Sequence, residues 1–170
     1  AIYLALPIMP DFSPWGITLS LSQINTSPVD GLMKKFPSFI ERRKHNWNRL
    51  KAALAESAVA DKLILPEPAE NSDPSWFGFL ISIKSDSGKD RNEVTRYIED
   101  HNIQTRLLFS GNLIKHPCFD QIRNSDAYRV AGQLDNTEFV LNNTFWVGVY
   151  PGMTDEMIDY MAQIINEAMK

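Results

Sequence analysis

The sequence has very little cysteine: Cys118 is the single one in 170 residues. An internal disulfide is therefore excluded. So is an iron–sulfur cluster or structural zinc site built on this chain's own thiolates. Such usage fits a reducing compartment, and a cytoplasmic location is expected. No run of about 18 apolar residues occurs, so no spanning helix and no membrane association are expected. The opening Ala1–Met9 is apolar but lacks a basic flank and carries Pro7, which makes it a poor signal peptide. Positive charge is also short. The 17 Lys and Arg against 21 Asp and Glu leave a formal charge of −4, with no basic stripe to neutralise phosphates, so no nucleic-acid partner is expected. Catalytic signatures are missing as well: there is no GxSxG, GxGxxG or P-loop spacing. His45, His101 and His116 fall on different elements without ligand spacing, and the acidic residues scatter over turns and solvent faces.

What is present is enough apolar material for a core. Hydrophobic residues make up 44% of the chain and aromatics 11%. That suits one domain, or one domain plus an appendage. Residues 1–33 hold Pro7, Pro10, Pro14 and Pro28 and follow no period, apart from one alternating stretch, Ile17–Ile24, that reads as a strand. A loosely ordered lead segment is expected there, with the domain proper over 34–170.

Phe36, Ile40, Arg43, Trp47, Leu50 and Leu54 recur at helical spacing and predict a long helix, roughly Pro37–Ser57. Pro37 suits its first turn. Glu41, Arg42, Lys44, His45 and Lys51 form the opposite face, expected to be solvated. Lys62–Leu65 reads as a short strand and Ser75–Lys84 as a central one, apolar on both faces. Asp90 followed by Glu93 is a capping-box pattern, starting a helix to about His101 with Val94, Tyr97 and Ile98 inward. Ile103–Phe109 is a third strand, and Ser125–Val130 a short helix or loop. Asp135 caps a helix over Thr137–Asn142, with Phe139 and Val140 buried. Thr144–Tyr150 is another strong strand. Thr154 caps a last helix whose inner stripe is Met157, Met161, Ile164, Ile165 and Ala168. The expected fold is α+β: a three- to four-stranded sheet with helices on one face.

The chemistry concentrates in Thr105–Phe119, TRLLFSGNLIKHPCF. Arg106 can hold an anionic or carbonyl group with its planar donors. Asn112 can bond a sugar hydroxyl, and Lys115 and His116 can face a phosphate. Each also has an ordinary reading: an ion pair for Arg106, a turn residue after Gly111 for Asn112, solvent for Lys115 and His116. Cys118 reads as a buried small hydrophobe.

This stretch, with DPSWFGFLISI (Asp73–Ile83) and TFWVGVYPGMTDEMIDYM (Thr144–Met161), resembles the C-terminal domain of the sugar 3-dehydrases. These belong to the DegT/DnrJ/EryC1/StrS branch of the fold-type I, pyridoxal-phosphate-dependent transferases. FPSFIERRKHNWNRL (Phe36–Leu50) is similar to the helix joining that family's large and small domains. The likeness covers roughly Lys34–Lys170. It implies the small C-terminal domain of a fold-type I enzyme, and C3 deoxygenation of CDP-4-keto-6-deoxy-D-glucose in 3,6-dideoxyhexose and O-antigen synthesis. It further implies pyridoxamine or pyridoxal phosphate, a [2Fe–2S] cluster, a partner reductase and a homodimer. Arg106, Ser110, Asn112 and His116 lie on matching positions and are the candidates to line the substrate side of the cleft.

The family's cofactor cradle, catalytic histidine and cluster cysteines have no counterparts to carry over. No catalytic, cofactor-binding or metal residue is therefore assigned, no cofactor is expected on this chain alone, and a fragment without activity is expected. A nucleotide-sugar aminotransferase fragment of the same branch and a non-catalytic truncated product are the alternatives. In the last case Phe36, Ile40, Trp47 and Leu50 would form an exposed patch. The Phe12–Leu19 stretch FSPWGITL, read from the third base of one permissible codon choice, gives Phe-Thr-Leu-Gly-Tyr-Asn-Leu, close to what the family carries before this helix. The expectation that residues before Lys34 are a frame-shifted reading fails if the other genomic frame encodes no large-domain sequence.

Overall fold

The computed structural model describes residues 28–123 and 125–170. The strand expected at Ile17–Ile24 and the lead segment up to residue 27 lie outside them. The chain divides into two units, Ala1–Pro37 and Ser38–Lys170.

Helix α1 spans Pro28–Ala55. It begins well before Pro37, the expected start, and Pro37 sits inside it. The missing N–H of Pro37 costs one turn-to-turn hydrogen bond. In the first unit this helix exposes Leu32, Met33 and Phe36. In the second, Trp47, Leu50 and Leu54 are buried while Ile40 is half-buried, so the expected exposed patch does not include Trp47 or Leu50.

The remaining described elements follow in order: β1 Leu63–Ile64, β2 Gly78–Ile83, α2 Arg91–Asp100, β3 Thr105–Leu107, α3 Asp135–Asn143, β4 Thr144–Gly148 and α4 Asp155–Ala168. The sheet has the order β1-β2-β4-β3, with every neighbouring pair antiparallel. Its register is set by alternation. Phe79 opposes Val147 and Ile81 opposes Phe145, and all four side chains are buried. Leu80 opposes Trp146 and Arg106 opposes Trp146, which fills the other face.

The buried face packs against Leu50 and Leu54 of α1, Val94 and Ile98 of α2, and Ile158, Ile164 and Ile165 of α4 in one core. The expected α+β architecture is therefore present, with these helices on one face. Helix α3 has no buried residue; Phe139 and Val140 are half-buried, not buried as expected. Two inner stripes also differ from the expectation. Tyr97 is exposed, its ring stacked on His101. In α4 Met157 is exposed, and Ile158 and Ala162 are buried in its place. Thr154 fixes the start of α4 by accepting from Met157 N, and that phase turns Met157 outward. The Asp90 cap forms as read, accepting from the N–H groups of Asn92 and Glu93.

The polar face of α1 is not simply solvated. Arg42 Nη2 lies 2.7 Å from Asp155 Oδ1, and His45 Nε2 lies 3.1 Å from the same oxygen. Arg49 reaches both Asp155, at 3.2 Å, and Asp159, at 2.8 Å. These contacts join α1 to the first two turns of α4. Arg42, then His45, hold the Asp155 carboxyl below the usual carboxylate range, and Arg49 does the same for Asp159. Beneath this seam, Asn46 is fully buried and donates to the carbonyls of Tyr150 and Met153.

Candidate functional site

With one face of the sheet under helices, the chemistry-bearing stretch lies toward the other. That face is half-buried and aromatic. Phe77, inside the strand expected over Ser75–Lys84, lies ahead of β2, is 65% exposed, and meets Trp146 edge-on at 5.4 Å. Gly78 lets the Trp146 ring lie on the strand, for a Cβ there would stand 2.7 Å from Trp146 Cε3. A shallow apolar groove results, lined by Trp76, Phe77, Gly78, Leu80, Leu108, Phe109 and Trp146.

Strand β3 ends at Leu107, short of the expected Phe109, because the backbone turns there. Phe109 sits at φ +48° and is 85% exposed, a left-handed conformation that a bulky residue rarely adopts. Gly111 follows at φ +58°, and a Cβ on it would stand 2.3 Å from Leu141 Cδ1 of α3. Short 3-10 turns then cover Leu113–Lys115 and Pro117–Phe119. Ser125–Val130 forms no regular helix among its described residues.

The candidate residues divide by environment. Arg106 lies in a hollow beside the groove, with Trp146, Tyr150, Met153, Met157 and Tyr160 around it. Ser110 lies in another hollow with Leu113, Thr137 and Val140. Its carbonyl accepts from His116 Nε2 at 2.6 Å, which brings Ser110 and His116 together and closes the loop on itself. Asn112 is only 4% exposed and donates to Glu138 Oε1. Lys115 Nζ lies 2.5 Å from Glu138 Oε2. Lys115 first, and Asn112 second, hold the Glu138 carboxyl below the usual range. Arg123 adds hydrogen bonds to the carbonyls of Ile114 and His116. Cys118 is exposed and not a buried hydrophobe, because its turn of 3-10 helix lies on the loop surface.

Glu138, Phe109 and Trp146 are the residues that sequence reasoning missed. Glu138 reads as one more acid in a helical first turn. Only its distance from Asn112 in space, not in sequence, gives it a role.

The described residues do not form a cradle for pyridoxal phosphate. Asn46 Nδ2 donates to two carbonyls, Arg91 Nη1 to the Thr144 carbonyl and Thr105 to Glu99, while Asn46 Oδ1 and Arg91 Nε are buried without a partner on separate elements away from the groove lining. The groove itself is almost wholly apolar, with nothing to bind a phosphate dianion. Nor do the described residues gather His, Cys, Asp or Glu into a metal-binding group. No reaction step through such a group is derived.

The chain matches the DegT/DnrJ/EryC1/StrS aminotransferase family over residues 10–166, which begins earlier than the likeness read from Lys34. It is 42% identical over 156 residues to the dTDP-4-dehydro-2,6-dideoxy-D-glucose 3-dehydratase of Saccharopolyspora spinosa, covering 92% of this chain and 32% of that protein. It is 40% identical to the lipopolysaccharide biosynthesis protein RfbH of Salmonella typhimurium, covering 92% of this chain and 34% of that one. Among solved structures, the E. coli GDP-4-keto-6-deoxy-D-mannose-3-dehydratase with bound hydrated PLP superimposes with a TM-score of 0.66 at 28% identity, over 80% of this chain and 33% of that one. The chain thus spans about a third of the length of the relatives it matches. On sequence and fold together, it belongs to the DegT/DnrJ/EryC1/StrS aminotransferase family.

Proposed function

We propose that this chain is part of a nucleotide-sugar 3-dehydratase and forms the substrate-side wall of its cleft. The observation that carries the reading is the aromatic groove that Phe77, Phe109 and Trp146 line, open among the described residues, with Arg106 in the hollow beside it. An aromatic face suits a sugar ring or base, and a guanidinium with open donors suits a diphosphate or keto oxygen. The 3-dehydratase relative at 42% identity supports dehydration over transamination. The sugar in this reading is CDP-4-keto-6-deoxy-D-glucose, on the strength of the motifs around Thr105–Phe119; a dTDP- or GDP-linked sugar is the competing outcome. Arg106, Ser110, Asn112 and His116 remain the residues proposed to shape the substrate side. Pyridoxamine phosphate would supply the electron sink for loss of the C3 hydroxyl, from residues other than those described. A [2Fe–2S] cluster, a reductase and a homodimer belong to the same proposal, as do a cytoplasmic location and the frame-shifted origin of residues before Lys34.

Alone, the chain is proposed to be inactive. The check is spectroscopic: purified chain is mixed with pyridoxal or pyridoxamine phosphate, desalted, and its absorbance read. The expected result is no retained chromophore. Retention of about one cofactor per chain would overturn the reading of these residues as the non-cofactor wall. A family aminotransferase is the second reading. It would be favoured if the sequence upstream in the gene carried a Schiff-base lysine and no cluster cysteines.

A further inference from the structure

The loop after β3 owes its shape to a residue far from it in sequence. Asn112 is buried, and its amide donates to Glu138 Oε1. Lys115 takes the other carboxylate oxygen at 2.5 Å. Both Glu138 oxygens are thus engaged by one loop. The same helix presses on the loop a turn later: Leu141 occupies the space that a side chain on Gly111 would need. Loop and helix therefore fit at Gly111, Asn112 and Lys115, while Phe109 just ahead is held at φ +48° and exposed. A non-glycine residue stays left-handed only when its surroundings over-determine it. Within the loop the hydrogen bonds are short-range: Gly111 N to Leu108 O, Lys115 N to Asn112 O, His116 N to Leu113 O and His116 Nε2 to Ser110 O, with Arg123 of the following turn donating to the Ile114 and His116 carbonyls. Such local turns do not hold a loop against a domain on their own.

We propose that Glu138 is a positioning residue: it clamps the Leu108–His116 loop to α3 and so fixes Phe109 and Ser110 on the side where the substrate is proposed to bind. The clamp works by matching acceptor to donor. A carboxylate offers both oxygens, one for an amide N–H and one for an ammonium, whereas an amide at the same position would offer one acceptor only. The proposal rests on the substrate-wall reading only for what the loop faces; the clamp itself stands on geometry.

Amide hydrogen exchange of the full chain tests it. In Glu138→Ala, the amides of Gly111, Lys115 and His116 are expected to exchange at least about tenfold faster, while those of Ile81 and Val147 in the sheet stay within about twofold. Glu138→Gln should fall between the two. The paired exchange Glu138→Lys with Lys115→Glu restores an ion pair, lets the Asn112 amide turn its oxygen to the new partner, and should recover most of the protection. Unchanged exchange in the loop of Glu138→Ala would overturn the clamp. So would a paired exchange no better than Glu138→Lys alone, since that would reduce Glu138 to a helix-forming residue. In the whole enzyme, a loosened loop without a rise in KM for the sugar would leave the clamp standing and remove the substrate-wall reading instead.

Discussion

At the scale of single residues, the site loop is governed by backbone conformations that few residue types accept. Gly111 combines a φ of +58° with a neighbour that leaves no room for a Cβ. Gly111→Ala is therefore expected to destabilise the domain by about 1–3 kcal/mol, from left-handed strain plus displacement of Leu141. Urea unfolding measures this; an unchanged midpoint would show that the loop and α3 do not fit as described. A glycine flanked by Ser110 and Asn112 between two apolar runs signals a turn, so this position was legible in the sequence. Phe109 was not. It continues an apolar run, Leu107-Leu108-Phe109, that reads as strand, and only the turn forced by Gly111 and the Glu138 contacts takes it out of β3. Asn112 shows the same limit. Its residue type fits a turn or a ligand equally well, and its burial against Glu138 is a tertiary fact.

At the scale of elements, patterns that depend on neighbours in sequence were readable, and those that depend on distant partners were not. The Asp90 and Thr154 caps, the central strand β2 and the strand β4 follow from alternation and from acceptors placed ahead of helices. The ion-pair seam between α1 and α4 did not, because Arg42, His45 and Arg49 find their acids more than a hundred residues away. Asp155 makes the seam pH-dependent. Its pKa is lowered in the fold, so its contribution is complete above the unfolded value, about 3.9, and is lost as pH falls through the folded value. The thermal midpoint of the wild type should therefore drop as the pH is taken from about 5 to about 2.5. In Asp155→Asn the midpoint should start lower at pH 5 and fall less over that range. Parallel melting curves across the titration would show instead that the Arg42 and His45 contacts add nothing.

At the scale of the whole molecule, the described residues are proposed to build one wall of a site. The core lies under one sheet face, and the other face carries aromatics, an arginine and a clamped loop. None of the described helices is long and apolar enough to cross a membrane. The sequence reaches the fold class and the family through three motifs, because those motifs are also the strands and the loop that frame the open face. It does not reach the division of labour among Arg106, Ser110, Asn112 and His116, which depends on α3 and on which side chains the fold has already engaged.

Whether this domain serves a nucleotide-sugar 3-dehydratase is decided by a chimera. Residues 38–170 replace the matching third of the Saccharopolyspora spinosa 3-dehydratase, and turnover of that enzyme's own 4-keto sugar is measured with cofactor and reductant. Loss of the C3 hydroxyl is expected, with kcat/KM falling at least about tenfold on Arg106→Ala. A folded, cofactor-loaded chimera that yields an amino sugar, or that turns over equally well without Arg106, would contradict it.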